Sequence, residues 1–160
     1  MTDLGRLSCA LFYEDLAIGT RWKTAGRTIV ESDLTAYIGL TWFHEDLFTN
    51  QHDRAGMAIA GRPVPGAMVF AMAEGLVLPS IDGSGLAFLH TDMDIKSGTF
   101  VGDTIYVNCE VVEARVTSKA DRGLVRTSNT VTNTAGVTLM VYRPLRLMKM
   151  RGIEKEPALL

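Results

Sequence analysis

Cysteine is scarce: Cys9 and Cys109 are the only two in 160 residues. They form no metal-type pair, so the expectation is two free thiols in a reducing compartment rather than a disulfide scaffold. No apolar run reaches the roughly 18–20 residues that a membrane-spanning helix needs. The amino-terminal stretch has an early acid, Asp3, and only a short apolar patch over residues 7–12. A secretory signal is therefore not expected, and the expected location is the cytoplasm. A formal net charge of −2 gives no electrostatic footprint for nucleic acid. Repeats and low-complexity tracts are also missing. What is present is globular in character, with 47% hydrophobic and 21% charged residues. The length suits one domain with a real core. The expected organisation is a single domain over residues 1–150 and a tail over residues 151–160.

The first half carries helical patterns. Residues 20–30 predict a strand bent at Gly26. Ser32 can cap a short helix in which Leu34, Tyr37, Ile38 and Thr41 recur at helical spacing. Residues 42–65 have no clean periodicity and hold His44 and His52. A connection of that length is usually functional or partly helical, and it is read as an active-site flap. A helix rich in Ala and Met follows from Gly66 to Leu78, stopped by Pro79. Apart from Glu74 it is apolar on every side, and a helix with no polar face is expected to be surrounded.

The second half supplies strands. Residues 87–95 predict one. In residues 103–118, Ile105, Val107, Cys109 and Val111 alternate with polar residues, and the phase then flips at Val111-Val112. That flip predicts a bulge and a bend. Turns at Asp121-Arg122-Gly123 and Ala135-Gly136 separate two more strands, over residues 124–134 and 137–150. Long strands joined by tight turns around one apolar helix predict an α+β architecture. A curled antiparallel β-sheet wrapped around one buried central helix is the hotdog fold.

Four stretches carry a family resemblance. They are Phe12-Tyr13-Glu14-Asp15-Leu16-Ala17-Ile18-Gly19, Ser32-Asp33-Leu34, Gly61-Arg62-Pro63-Val64-Pro65-Gly66, and Gly98-Thr99-Phe100-Val101-Gly102-Asp103-Thr104-Ile105. In order and spacing they resemble the MaoC-like dehydratases, the group containing the (R)-specific enoyl-CoA hydratases, over about residues 12–150. The resemblance implies the hotdog fold and a lyase of fatty acid metabolism acting on a 2-enoyl or 3-hydroxyacyl thioester. It implies no cofactor beyond the coenzyme A that the substrate carries. Family hydratases have an Asp-x-Asn-Pro-x-His segment after the first helix, with Asp and His as the catalytic dyad. Counting back from Gly66 without gaps puts this segment on Phe43-His44-Glu45-Asp46-Leu47-Phe48. Phe43 then holds the aspartate position and Phe48 the histidine position, and Glu45 and Asp46 replace the Asn-Pro.

Hydration of an enoyl thioester needs a base for water, a proton for the α-carbon and stabilisation of enolate charge on the carbonyl oxygen. Gly66 stands where a helix begins, with amides that lack intrahelical partners. The resemblance makes it the oxyanion donor; the plainer reading is a glycine that lets the chain turn tightly. His44, Glu45 and Asp46 are adjacent, and a histidine beside a carboxylate can supply acid and base near neutral pH. In an extended segment His44 and Asp46 share a face. The alternative places these charges on a solvated loop, paired with Arg54 or Arg62. Phe43, Phe48, Arg62, Pro65 and Met68 are the candidate substrate-binding residues, with Trp42 beside them; the bulky apolar ones suit plain core equally well. Glu74 is either functional, at a dimer seam, or hydrogen-bonded to backbone or an arginine. His52 reads as exposed and His90 as structural. Lys96, Arg143, Arg146 and Lys149 suit either CoA phosphates or solvated strand ends.

The expected partner is an acyl-CoA thioester, with no nucleic acid, membrane or metal. Unpaired sheet edges predict a homodimer or higher homo-oligomer with the thioester tunnel at its interface. A hotdog thioesterase and a non-catalytic acyl-thioester-binding protein are the alternatives.

Overall fold

The computed structural model describes residues 2–6, 10–52, 55–57 and 59–152. Cys9, Arg54 and most of the expected tail lie outside these residues. In chain order the strands are β1 (Asp3–Arg6), β2 (Arg21–Lys23), β3 (Arg27–Thr28), β4 (Gly85–His90) and β5 (Met93–Ile95). They continue with β6 (Thr104–Val116), β7 (Arg122–Thr132), β8 (Thr138–Tyr142) and β9 (Leu145–Lys149). The helices are α1 (Glu31–Thr41), α2 (Asp46–Thr49) and α3 (Gly66–Val77), and a 3-10 turn, Leu78–Ser80, follows α3. No described helix is long and apolar enough to cross a membrane.

Three of the expected long strands are split into collinear halves, and each pair of halves keeps the same neighbours. β2 and β3 both pair with β6, β8 and β9 both pair with β7, and β4 and β5 pair with β9 and β8. The sheet therefore runs β1, β2/β3, β6, β7, β8/β9, β4/β5 from edge to edge, antiparallel except where β1 joins β2. The breaks have local causes. At Gly26 an added Cβ would meet Tyr106 Cε1 at 2.5 Å, so the ring closes over bare backbone. At Pro144 the missing N–H interrupts the ladder, while its carbonyl still accepts from Thr127 N at 3.2 Å. The single strand expected over residues 137–150 is accordingly two. The strand expected over residues 87–95 is likewise divided, at Thr91 and Asp92.

β6 bears out the predicted bulge. Its register with β7 passes from Val111↔Thr127 to Glu113↔Arg126, leaving Val112 as the extra residue. Before it, Ile105, Val107, Cys109 and Val111 face inward. After it, Val112 and Val116 are exposed and only Ala114 packs on the core. Past the bulge β6 is paired on one side only, with β7.

α3 lies across the concave face of this sheet. Met68, Val69, Met72, Ala73 and Val77 are buried against it, the larger ones contributing roughly 1.5–3 kcal/mol apiece. The expectation of a helix covered all round needs correction. Ala67, Ala71, Gly75 and Leu78 form a stripe at helical spacing that is exposed in the protomer. The first three carry so little apolar area that leaving them wet costs little. α1 buries Leu34 and Ile38. It begins at Glu31 rather than being capped by Ser32, because Asp33 Oδ2 accepts from the Val30 amide at 3.0 Å while Oδ1 accepts from Arg27 at 2.7 Å.

Candidate active site

Two of the stretches singled out by sequence are laced together at the amino end of α3. Val64 N donates to Thr99 O at 2.8 Å, Val101 N donates to Arg62 O at 3.2 Å, and Pro63 sits opposite Phe100. Extended backbone at Pro65 then turns directly into the helix. The Pro65 carbonyl accepts from Met68 N at 3.0 Å and Val69 N at 3.1 Å. Gly66 and Ala67 are therefore the amides for which the helix supplies no acceptor, at its electropositive end. A side chain at Gly66 would collide with Ile95 Cδ1 of β5, which gives the glycine a steric reason as well.

The proposed substrate-binding residues around it are differently placed. Pro65 and Met68 are buried, and Met68 lines a cavity of about 310 Å³ between α1 and α3, with Tyr37 and Leu40. Arg62 is an ion-pair partner of Glu31, through Nε at 2.9 Å and through Nη2, so it braces α1. Gly66 lines neither this cavity nor the larger one described below.

His44, Glu45 and Asp46 follow α1 on an exposed segment. The Trp42 and His44 rings meet edge to face at 5.9 Å, Glu45 leads into α2, and Asp46 sits in its first turn. No hydrogen bond joins the three side chains, and neither cavity is lined by them. The two positions that the resemblance assigns to the family's dyad form an aromatic contact instead. The Phe43 and Phe48 rings lie 5.4 Å apart, and Phe43 stands 6.2 Å from Tyr37. Such pairs contribute roughly 0.5–1.5 kcal/mol beyond their buried area, here fastening the flap onto α1. His52 is exposed, and His90 Nδ1 is 3.4 Å from Arg126 Nη1.

The least exposed ion pair among the described residues lies at the other end of α3. Glu74 Oε1 accepts from Tyr142 Oη at 2.7 Å, and Oε2 accepts from Arg146 Nη2 at 2.5 Å. The Arg146 side chain is 7% exposed and that of Glu74 20%. Burial, reinforced by the Glu74 charge, pushes the Tyr142 phenol far above its ordinary range, so it remains an O–H donor. Burial likewise pushes the Cys109 thiol up to about 12, which removes it as a nucleophile at neutral pH. Glu74 and Arg146 open onto a cavity of about 560 Å³ walled by Leu78, Ile81, Leu86 and Phe88. Arginine pairing of Glu74 was among the sequence expectations. Arg146 as its partner was missed, although Arg146 and Met148 share the inward phase of β9. Of the other cations considered for CoA phosphates, Arg143 pairs with Asp92 at 2.6 Å and Lys96 with Asp94 at 3.5 Å.

The split, curled sheet and the helix in its concavity define a hotdog fold, as the sequence predicts. No protein-family model matches the chain, and no curated protein matches it by sequence. Solved structures do. A putative MaoC domain protein dehydratase from Chloroflexus aurantiacus superposes with a TM-score of 0.85 at 20% identity, covering 96% of this chain and 45% of that one. The unliganded (R)-hydratase from Pseudomonas aeruginosa gives 0.70 at 19% identity, over 94% and 97% of the two chains. A Mycobacterium tuberculosis protein described as a double hotdog fold gives 0.76 at 18% identity, over 92% and 47%. The chain thus spans the whole of one neighbour and about half of the other two.

Proposed function

We propose that this chain is a MaoC-like hydratase or dehydratase acting on a 2-enoyl or 3-hydroxyacyl thioester of coenzyme A, in the cytoplasm, as a homodimer. The observation that carries the reading is the pair of leftover amides, Gly66 and Ala67, where a buried helix starts. In this reading they receive the thioester carbonyl oxygen and stabilise the enolate that forms when the α-proton leaves. His44 is the acid and base, assisted by Glu45 or Asp46. Phe43, Phe48, Pro65 and Met68 guide the acyl group, and Arg62 holds α1 against the site. The bare edge of β4/β5 and the exposed stripe of α3 support pairing with a second copy, which would also enclose the segment carrying His44.

A second reading has a specific observation behind it. The exposure of His44, Glu45 and Asp46 favours a non-catalytic acyl-thioester-binding protein of the same fold. A thioesterase using Glu74 is less favoured, because that carboxylate is engaged by Tyr142 and Arg146.

Enoyl- and acyl-CoA thioesters of several chain lengths separate the three. Hydration consumes enoyl absorbance without releasing thiol, hydrolysis releases free CoA, and a binder does neither while still saturating. For hydration, Gly66→Pro is the sharpest probe. Proline at the first helical position preserves the helix while deleting the N–H. An Ile95→Ala background makes room for the ring. The expected loss is about 10²–10³ in kcat. His44→Ala is expected to lower kcat/KM by about 10²-fold or more. Unchanged hydration in His44→Ala and Glu45→Ala would remove the acid/base assignment.

A further inference from the structure

Between the sheet and the carboxyl end of α3, two polar atoms are left unpaired by the fold. Trp22 Nε1 and Thr127 Oγ1 are shut off from solvent, in residues only 4% and 6% exposed, and neither has a hydrogen-bond partner in the protein. An unmet N–H or hydroxyl is costly to bury, and native interiors hold few of them. Register brings the two residues to one place. Trp22 of β2 pairs with Cys109 of β6, Thr127 of β7 pairs with Val111 of β6, and all four are buried. Two strand spacings, about 10 Å, separate the backbones, a span that an indole can largely cover. Both residues line a small cavity of about 10 Å³, together with Arg146. The rest of its wall is apolar and includes Leu16, Val77 and Met148. No wall residue belongs to the exposed stripe of α3 or to the β4/β5 edge, so the cavity is separate from the surfaces given to a second copy.

Volume decides the occupant. A space of about 10 Å³ admits one water molecule and nothing larger. A void walled only by hydrocarbon would stay dry. This one has an unpaired donor in Trp22 and an unpaired hydroxyl, both donor and acceptor, in Thr127. Arg146 adds a buried guanidinium that spends only Nη2 on Glu74 among the described residues. We infer that this cavity is a binding site for a single structural water, which accepts from Trp22 Nε1, donates to Thr127 Oγ1 and so joins β2 to β7 beneath α3. The inference is independent of what happens at Gly66. It also has a sign. A merely stranded hydroxyl would be relieved by Thr127→Val, a change of nearly the same shape, and stability would rise. Where the hydroxyl holds a water, the same change strands the indole N–H and stability falls.

The test is a high-resolution crystal structure of the full chain, with melting curves and structures of two variants. Ordered water density is expected within about 3.2 Å of both Trp22 Nε1 and Thr127 Oγ1. Thr127→Ser keeps the hydroxyl and is expected to retain that density. Thr127→Val is expected to lose it and to lower Tm by about 2–4 °C, the loss of one hydrogen bond in a chain of this size. No density in the parent, density in contact with only one of the two atoms, density unchanged in Thr127→Val, or a Tm for that variant equal to or above the parent would each overturn the inference. Should Thr127→Val fail to fold, the density in the parent and in Thr127→Ser decides alone.

Discussion

Removing Glu74 should expose how the sheet and α3 are joined. In Glu74→Leu the Arg146 guanidinium, 7% exposed, keeps its charge and loses its carboxylate, and the Tyr142 hydroxyl loses its acceptor. Breaking a buried pair on one side costs about 3–5 kcal/mol. Because Glu74 is 20% exposed and opens on a cavity, water reaches the stranded cation and the lower end applies, about 3 kcal/mol. In a protein of this size each kcal/mol lowers Tm by about 2–4 °C, so a fall of about 6–12 °C is expected. The double variant Glu74→Leu with Arg146→Met replaces the pair by apolar groups of similar bulk and should recover to within about 1 kcal/mol of the parent. Urea denaturation of the parent, both single variants and the double variant closes a cycle with a coupling of at least about 2 kcal/mol, larger by whatever Arg146→Met costs alone. If Glu74→Leu costs no more than a surface change, or if the two single effects simply add, the pair does not fasten the helix as argued.

Two further outcomes follow from groups elsewhere in the fold. Cys109 should resist iodoacetamide at pH 8 in the native protein and react fully in urea, because its thiol is held protonated by burial; peptide mass mapping reads this, and native labelling would contradict it. The Asp15 carboxyl lies below its ordinary value because Arg151 hydrogen-bonds it, with the Phe12 amide helping. A lowered carboxylate contributes stability that is complete above its unfolded pKa, about 3.9. That contribution is lost as pH falls through the lower folded value. Arg151→Ala should therefore be less stable than the parent near neutral pH and converge with it in acid, and a deficit that grows on acidification would reverse the sign.

Much of the fold was legible because its signals are local. The alternation from Ile105 to Val111 and its slip at Val112 are periodic facts that any sheet must honour, and Gly26 sits where a strand bends; the break at Pro144 was missed, residues 137–150 being read as one strand. The wet stripe of α3 was not legible. Ala67, Ala71 and Gly75 look as apolar as Met68 and Met72, and side-chain size rather than polarity decides which face can do without cover. At the site, Gly66 was legible as a helix start, whereas its contact with Ile95 needed the crossing of two elements distant in sequence. Glu74 announced itself as a lone carboxylate. Arg146 did not, since a cation two residues from a proline reads as solvated until the inward phase of Pro144, Arg146 and Met148 is known.

The gap at Pro144 has a mechanical corollary. Tyr142 and Arg146 stand on opposite sides of it, and both reach the same carboxylate. Glu74 thereby works as a clasp that ties two half-strands to one helix and fixes how far apart they stand. Deleting or adding a single residue between Arg143 and Leu145 would turn the rest of β9 over, swing Arg146 to the outside and open that clasp. The short linker thus cannot change length without undoing that tie.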